Sequence, residues 1–278
     1  MANEREEFLS CSNGNNKHIE LIKKSSLHWE IILNRPDKYN AITTDMIEYL
    51  TDIFNKAAKD NDLVLISITG KGKYYSSGAD LTNSVNLFNS STTDIETIME
   101  KGKNRLKNFI ESLINFPKIL IGFINGPAIG ISVSILALFD GVYASSSSTF
   151  SLPFTRTGQT AEGCSSFLFP HIMGPIHAKE ILLFDRQLTA EQAQQKGLVT
   201  RVIQDNLFEQ EKDKICQFIL SLPKQSLLTT KSLIQTWNIQ TLKIVNQQEV
   251  NALKKQWSNE EFPQAILNFI NRRSKPNL

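Results

Sequence analysis

Along most of this chain, segments whose hydrophobic residues are spaced as in a β-strand alternate with segments whose hydrophobic residues are spaced as in an α-helix. Strands are predicted where short segments alternate or are apolar almost throughout, and helices where apolar residues recur every three or four positions. An apolar run such as 63–70 is typical of a parallel sheet with both faces covered. The predicted strands are 18–24, 27–34, 63–70, 118–124, 141–145, 149–152 and 197–203.

Helices follow several of these strands and then occupy the rest of the chain. Thr43 or Thr44 can cap the first helix, and the capping box Thr93-x-x-Glu96 begins the second. The predicted helices are about 44–59, 93–116, 162–172, 175–184 and 189–196, and three or four amphipathic helices follow from about Asn206. This order predicts an α/β core at 17–205, preceded by a loose polar arm at 1–16 and followed by a helical region at 206–278.

Composition and charge are those of an ordinary globular protein. The chain has 278 residues, of which 41% are hydrophobic, enough for a sizeable core. A net charge of +2 argues against a nucleic-acid partner or a polybasic membrane protein, although a local patch can still bind a small anion. No apolar run reaches the ~18 residues of a membrane span. Three cysteines (Cys11, Cys164 and Cys216) indicate a reducing compartment without a disulfide framework.

Two glycine-containing loops, 73–81 and 125–133, each follow a buried strand and carry few side chains able to do chemistry. Small residues let a ligand approach the main chain, and two N–H groups that converge on one oxygen form an oxyanion hole. The second loop is also predicted to begin an apolar helix, whose dipole favours negative charge at its N-terminus. Each loop alone is better explained as a tight strand-to-helix turn, so the hypothesis depends on the pair.

Glu162 is the candidate general base. It is the only charged residue between Thr157 and Phe169. Apolar neighbours disfavour the ionised form of a carboxylate and raise its pKa toward neutrality, which suits a base that returns the proton it takes. A glutamate placed at a helix start for the helix dipole is an equally good interpretation.

Other catalytic or metal-binding groups are less well supported. His171 and His177 have no carboxylate or cysteine at metal-ligand spacing, and ordinary histidines at a helix end explain them better. Cys164 has no adjacent cation that would activate its thiol, and we expect it to be a small buried residue. We therefore predict no metal site and no Ser-His-Asp arrangement.

Four segments carry a resemblance to known proteins: 33–42 (LNRPDKYNAI), 74–81 (YYSSGADL), 124–140 (INGPAIGISVSILALFD) and 162–174 (EGCSSFLFPHIMG). Together they resemble the crotonase, or enoyl-CoA hydratase/isomerase, superfamily, and within it the peroxisomal-type Δ3,Δ2-enoyl-CoA isomerases. The likeness extends from about His18 to Arg273. It implies a spiral core of ββα units with a helical C-terminal trimerisation region, assembly as a homotrimer or hexamer, and an acyl-CoA thioester as substrate.

The resemblance also assigns roles to individual residues. In this family the thioester oxygen accepts hydrogen bonds from two backbone N–H groups, which align with Ala79 and Ile131. The two glutamates that activate water in the hydratases align with Ser134 and Phe154, neither of which is acidic. The single glutamate of the peroxisomal-type isomerases aligns with Glu162. Coenzyme A is expected against Lys38, Asn40, Ala41, Ser76, Ser77, Gly78, Asp80 and Gly130, and more loosely against Phe262 and Lys275; the acyl tail is expected near Leu87, Phe88, Phe154 and Phe167.

The function that the resemblance implies is Δ3,Δ2-enoyl-CoA isomerisation in the β-oxidation of unsaturated fatty acids. Glu162 would move one proton within the substrate, with no metal or redox cofactor. The alternatives are another crotonase-type enzyme, such as a hydratase or thioester hydrolase, and a non-catalytic acyl-CoA-binding scaffold. The resemblance implies a peroxisome, yet the tail NRRSKPNL matches a Ser-Lys-Leu signal only with two residues inserted, so cytoplasm and mitochondrion stay as alternatives.

Overall fold

A six-stranded sheet forms the centre of the fold in a computed structural model that describes residues 16–81 and 95–273. Its strands are β1 (Ile19–Ser25), β2 (His28–Leu33), β3 (Leu65–Gly70), β4 (Ile119–Ile124), β6 (Gly141–Ser145) and β9 (Arg201–Ile203). They lie side by side in this order. The first pair is antiparallel and every other pair is parallel. A smaller sheet joins β5 (Ala128–Ile129), β7 (Thr149–Ser151) and β8 (Leu188–Thr189).

Helices cover the sheet and form the C-terminal region. Those of the core are α1 (Thr44–Lys59), α2 (Ile95–Ile114), α3 (Ile131–Ser134), α4 (Ser165–Met173), α5 (Pro175–Phe184) and α6 (Ala190–Gln195). Those of the C-terminal region are α7 (Phe208–Ser221), α8 (Lys224–Thr236), α9 (Ile239–Trp257) and α10 (Glu261–Arg273). Of the two threonines considered for the first cap, Thr43 is the N-cap, since its hydroxyl accepts the Met46 N–H. At the start of α6, Thr189 and Gln192 form a complete capping box.

Both faces of the central strands are buried, as their apolar sequences predicted. Along β4, Ile119, Ile121 and Phe123 pack into a cluster with α7, whereas Leu120 and Ile124 enter the cluster formed with α1 and α2. This alternation follows from the two-residue side-chain period of a strand. The parallel sheet therefore has helices on each side. The loops that follow β3 and β4 leave the sheet at the same edge, because these strands are parallel.

The structure corrects the sequence-based elements at a few places. The helix expected at 162–172 begins only at Ser165, because Gly163 and Cys164 have φ values of +69° and +62°, outside the helical region. The apolar helix expected after Gly130 is one turn, α3, followed by a 3-10 segment at Ile135–Leu138. The strands β5 and β8 have two residues each, too short for a periodic pattern to reveal. His18 lies in the turn before β1 rather than in a strand.

Some of the sequence-based expectations lie outside the described residues. They concern the polar arm up to residue 15, Cys11, Leu87, Phe88, the Thr93 end of the second capping box, and the tail with Lys275.

A buried ion pair fastens the C-terminal helices to the sheet. Lys231 of α8 is 5% exposed, and its ammonium donates to Asp140 Oδ2 and to the Lys118 carbonyl, both at 2.6 Å. Asp140 Oδ2 also accepts the Leu120 N–H at 2.8 Å, at the start of β4. One lysine therefore links α8 to both chain segments that border β4.

We expect Lys231→Met to lower the free energy of unfolding by about 3 kcal/mol, because the Asp140 carboxylate and the Lys118 carbonyl both lose their cationic donor. Urea unfolding of the two proteins measures this difference. Lys179→Met, at an exposed lysine of α5, is the control and should stay within about 0.5 kcal/mol of the parent protein. Equal losses in the two variants would show that the buried pair does not fasten the helices.

Candidate active site

The two glycine loops run side by side, as the oxyanion-hole hypothesis requires. The Ser76 N–H donates to the Pro127 carbonyl at 3.3 Å, and the Ile129 N–H donates to the Ser76 carbonyl at 3.0 Å. The Ser132 hydroxyl adds a third link, to the same Ser76 carbonyl, at 3.1 Å. The loops are thus joined by backbone pairing of the kind found in a parallel sheet.

Gly78 makes this close approach possible. Its φ is +83°, and a Cβ atom at this position would overlap the carbonyl of Ile129 on the facing loop. Gly130 has φ +63°, and its N–H donates to the Ser151 carbonyl of β7 at 2.8 Å. Only glycine adopts such a conformation without strain and leaves room for a facing backbone. The residues after these two glycines, Ala79 and Ile131, consequently face one cavity.

The N–H groups of Ala79 and Ile131 are both available as donors. Ile42 bonds to the residues on either side of Ala79, accepting from Asp80 at 2.9 Å and donating to Gly78 at 2.8 Å, so the Ala79 N–H is turned away from this pairing. Ile131 begins α3, and the first N–H of a helix has no partner within it. Within residues 16–81 and 95–273, neither N–H donates to an acceptor.

Glu162 contributes a buried carboxylate to the same cavity. It is 3% exposed, and its Oε1 accepts the Ser134 hydroxyl at 2.8 Å. Its Oε2 has no hydrogen-bond partner among the described residues. The pKa of Glu162 is raised to about 8 as the net of three effects: burial raises it most, the Ser134 hydrogen bond lowers it, and the charge of Glu249 raises it. A carboxyl group of this pKa both accepts and releases a proton near neutrality.

The cavity has a volume of about 880 Å³ and is lined by both apolar and polar side chains. Apolar side chains of three helices line one part, where an acyl chain would avoid water: Met99 and Leu106 of α2, Leu253 and Trp257 of α9, and Phe262 and Ile270 of α10. Lys38 and Arg105 also line the cavity, and Arg105 is paired with Glu48 at 2.7 Å. The cavity therefore combines apolar area with a few charged groups.

Most of the predicted ligand-binding residues line this cavity. Asn40 and Ser76 do not, because both are completely buried and bonded to backbone. The Asn40 amide donates to the carbonyls of Lys71 and Tyr74 at 3.0 and 2.8 Å, and the Ser76 hydroxyl donates to the Asn40 carbonyl at 2.8 Å. These two side chains hold the loops in place. The predicted residues that line the cavity are Lys38, Ala41, Ser77, Gly78, Asp80, Gly130, Phe154 and Phe262.

Asp80 and Phe167, both predicted near the ligand, have structural contacts of their own. Asp80 pairs with Arg35 at 2.6 Å, which ties the first glycine loop to the segment that carries Lys38. Phe167 packs its ring 4.2 Å from that of His171 and is not part of the cavity wall formed by the described residues.

The sequence does not reveal the partners of Glu162. By motif alone, Ser134 is only a position where hydratases carry a glutamate, and its hydrogen bond to Glu162 spans 28 positions. No motif points to Glu249, although it occupies the buried face of α9 together with Leu242, Asn246, Val250 and Leu253. A carboxylate on the core-facing side of an amphipathic helix is the one signal in the sequence that could identify it.

Two kinds of site are not found in the described ranges. No three His, Cys, Asp or Glu side chains there are grouped so that they could hold a metal ion. None of the helices in residues 16–81 and 95–273 has the length and apolar character that crossing a membrane requires.

Known proteins share both the sequence and the fold. The chain is 43% identical to human "Enoyl-CoA delta isomerase 2" over 251 residues, which is 88% of this chain and 61% of that protein. It is 39% identical to mouse "Enoyl-CoA delta isomerase 3, peroxisomal" over 249 residues, 90% of this chain and 77% of that one. The chain thus spans about three fifths of the length of the human relative.

The solved structure of an enoyl-CoA hydratase/isomerase from Pseudoalteromonas atlantica T6c matches with a TM-score of 0.81 at 27% identity, over 94% of this chain and 100% of that one. The crotonase-like fold class inferred from the four motifs is therefore confirmed. Residues 24–277 match the family model described as "Enoyl-CoA hydratase/isomerase". The chain belongs to the enoyl-CoA hydratase/isomerase family.

Proposed function

We propose that this protein is a Δ3,Δ2-enoyl-CoA isomerase, which moves the double bond of a 3-enoyl-CoA to the 2-trans position. The observation that carries the proposal is a single buried carboxylate, Glu162, in one cavity with the N–H groups of Ala79 and Ile131. The relatives named as enoyl-CoA delta isomerases support the same reaction. In metabolism it would serve the β-oxidation of unsaturated fatty acids.

In the first proposed step, Glu162 takes a proton from the carbon next to the thioester. The electron pair of that C–H bond moves into the carbonyl group, and negative charge develops on the thioester oxygen. The N–H groups of Ala79 and Ile131 donate to this oxygen and stabilise the charge more strongly in the intermediate than in the substrate. Because Ser134 occupies Oε1, the unpartnered Oε2 is the oxygen that receives the proton.

In the second step, the protonated Glu162 returns the same proton two carbons further along the chain, and the double bond becomes conjugated with the thioester. One carboxyl group serves both steps because the intermediate is flat and both carbons present the same face. The pKa of about 8 matches this double duty, since neither protonation state is strongly disfavoured near neutrality. The proposed reaction uses no metal or redox cofactor, and coenzyme A is part of the substrate.

Hydration of the double bond fits the site less well. Activating water in the manner of the family hydratases takes a second carboxylate, and the aligned positions here are Ser134 and Phe154. Ser134 is bonded to Glu162, and Phe154 is an apolar residue of the cavity wall. Glu249 is not part of that wall within the described chain.

The acyl-CoA would lie with its acyl tail between α2, α9 and α10. Its nucleotide end would lie along the segment around Lys38 and the first glycine loop, where Ala41, Ser77 and Asp80 line the cavity. We place the protein in the peroxisome, which the name of the mouse relative favours, with cytoplasm or mitochondrion as alternatives.

The direct test follows trans-3-hexenoyl-CoA by the ultraviolet absorbance of its conjugated product, with crotonyl-CoA as the substrate for hydration. We expect isomerisation with little hydration, and a loss of about 10²–10⁴-fold in kcat for Glu162→Gln, because the base is removed while the shape is kept. Glu180→Gln, at a surface carboxylate of α5 paired with Arg186, is the control and should keep full activity. Near-normal turnover by Glu162→Gln, or faster hydration than isomerisation, would refute the proposal.

The pH dependence of kcat/KM tests the protonation state of Glu162. Only the ionised carboxylate removes a proton, so kcat/KM should rise about tenfold per pH unit below pH 8 and level off above it. Ser134→Ala should move the inflection to higher pH, because the lost hydrogen bond favours the ionised form. An inflection near the ordinary glutamate pKa would mean that Glu162 is not the base.

We further propose that the chain assembles as a homotrimer or as a hexamer of two trimers. The C-terminal helices expose large apolar side chains, among them Leu233 (61%), Ile234 (66%), Trp237 (83%) and Ile244 (60%). Multi-angle light scattering should give three or six times the 31.4 kDa of one chain. A monomer at micromolar concentration would contradict the proposed assembly.

A further inference from the structure

The carboxylate of Glu249 is directed at the turn that follows Glu162. Glu249 belongs to α9 and is 6% exposed. Its Oε2 accepts the Cys164 N–H at 2.7 Å, and its Oε1 accepts the Ser166 N–H at 2.9 Å and the Ser166 hydroxyl at 2.6 Å. A side chain more than 80 positions away in sequence therefore makes three hydrogen bonds beside the proposed base.

This turn requires an external anchor. Gly163 and Cys164 have φ values of +69° and +62°, a conformation that is costly for a residue with a side chain such as Cys164. The helix α4 begins directly afterwards, and its own N-cap residue makes no side-chain hydrogen bond to it. The Glu249 carboxylate accepts N–H groups that would otherwise lack partners at this helix start. It also places negative charge at the positive end of the helix dipole.

The helix that carries Glu249 is itself firmly placed. Val250 and Leu253 are buried in the main core cluster, and the Asn246 amide donates to the Lys107 carbonyl of α2 at 3.1 Å. One turn before that, the Leu242 carbonyl accepts the Cys164 thiol at 3.5 Å. The turn is therefore held from α9 as well as by Ser165, whose N–H and hydroxyl donate to the Glu162 carbonyl at 3.2 and 2.7 Å.

Glu249 also acts on Glu162 through its charge. Burial raises the pKa of Glu249, and hydrogen bonds from the Ser166 hydroxyl, the Ser166 N–H and the Cys164 N–H lower it. Among the described residues, the Glu162 carboxylate accepts a hydrogen bond only from the Ser134 hydroxyl. The negative charge of ionised Glu249 raises the pKa of Glu162. The Cys164 thiol between them stays neutral, because burial and both carboxylates raise its pKa. No lysine or arginine of the described chain pairs with Glu162 or Glu249.

We propose that Glu249 is a positioning residue of this site, whose carboxylate fixes the turn that carries Glu162 and whose charge keeps the transferred proton on Glu162 between the two steps. It does not touch the substrate. The inference rests on the proposed isomerase function, and it adds a second carboxylate that acts through the first.

Two substitutions separate the charge of Glu249 from its shape. Glu249→Gln removes the charge and keeps the length, so the inflection in kcat/KM against pH should fall by about one unit. Glu249→Asp keeps the charge but is too short to reach both N–H groups, so kcat should fall roughly tenfold or more with the inflection near that of the parent protein. Glu211→Gln, at a carboxylate paired with Arg201 and Lys214, is the matched control and should change neither quantity.

A merely structural role for Glu249 would lower activity in both variants without moving the inflection in kcat/KM against pH. That outcome would overturn the proposal that the charge of Glu249 acts on Glu162. A parental kcat in Glu249→Asp would overturn the proposal that the Glu249 carboxylate positions the turn. This result is informative even where Glu249→Gln does not fold. Titration of Glu162 by 13C NMR in the folded proteins needs no turnover. An inactive parent protein would therefore refute the isomerase function, and a Glu162 pKa that is lower in Glu249→Gln would still establish the coupling between the two carboxylates.

Discussion

The close approach of two backbone loops at Gly78 and Ile129 is the constraint on which the site depends. A side chain at Gly78 would overlap the facing carbonyl, so only glycine allows the loops to pair. The pairing brings Ala79 and Ile131 to one cavity, and the parallel sheet below holds both loops at the same edge. Donors that belong to the backbone are rigid because the fold itself places them, which is what stabilising a developing charge requires.

The candidate base, Glu162, depends on burial and on side-chain contacts, unlike the backbone donors. Glu162 is a buried carboxylate without a cationic partner among the described residues, an arrangement that costs free energy unless the group takes up a proton. The surroundings that maintain it are contributed by distant parts of the chain, Ser134 from α3 and Glu249 from α9. The C-terminal helices therefore contribute both an apolar wall and a hydrogen-bonding carboxylate to the site. Residues of the site thus come from the expected core and from the expected helical region alike.

Local pattern in the sequence predicts a large part of the fold and the identity of the candidate base. Strand and helix periods locate most elements, and the isolated charge of Glu162 singles it out among the carboxylates of the chain. Contacts between distant segments are not contained in such patterns. Asn40 and Ser76 were expected against the ligand but support the loops from inside, and Glu249 reaches a turn far away in sequence. The early start expected for α4 was wrong because two successive left-handed residues follow Glu162, which no periodic pattern encodes.

Because the pKa of Glu162 is raised, one proton affects both the stability of the fold and the protonation state of the base. The folded chain binds this proton more tightly than the unfolded chain, whose glutamate has an ordinary pKa. The stabilisation that follows is complete below the unfolded pKa of 4.5 and is lost as pH rises through about 8. The protonated form that folding prefers is the one that cannot remove a proton from substrate. Each increase in the fraction of ready enzyme is accordingly accompanied by a smaller contribution of Glu162 to the stability of the fold.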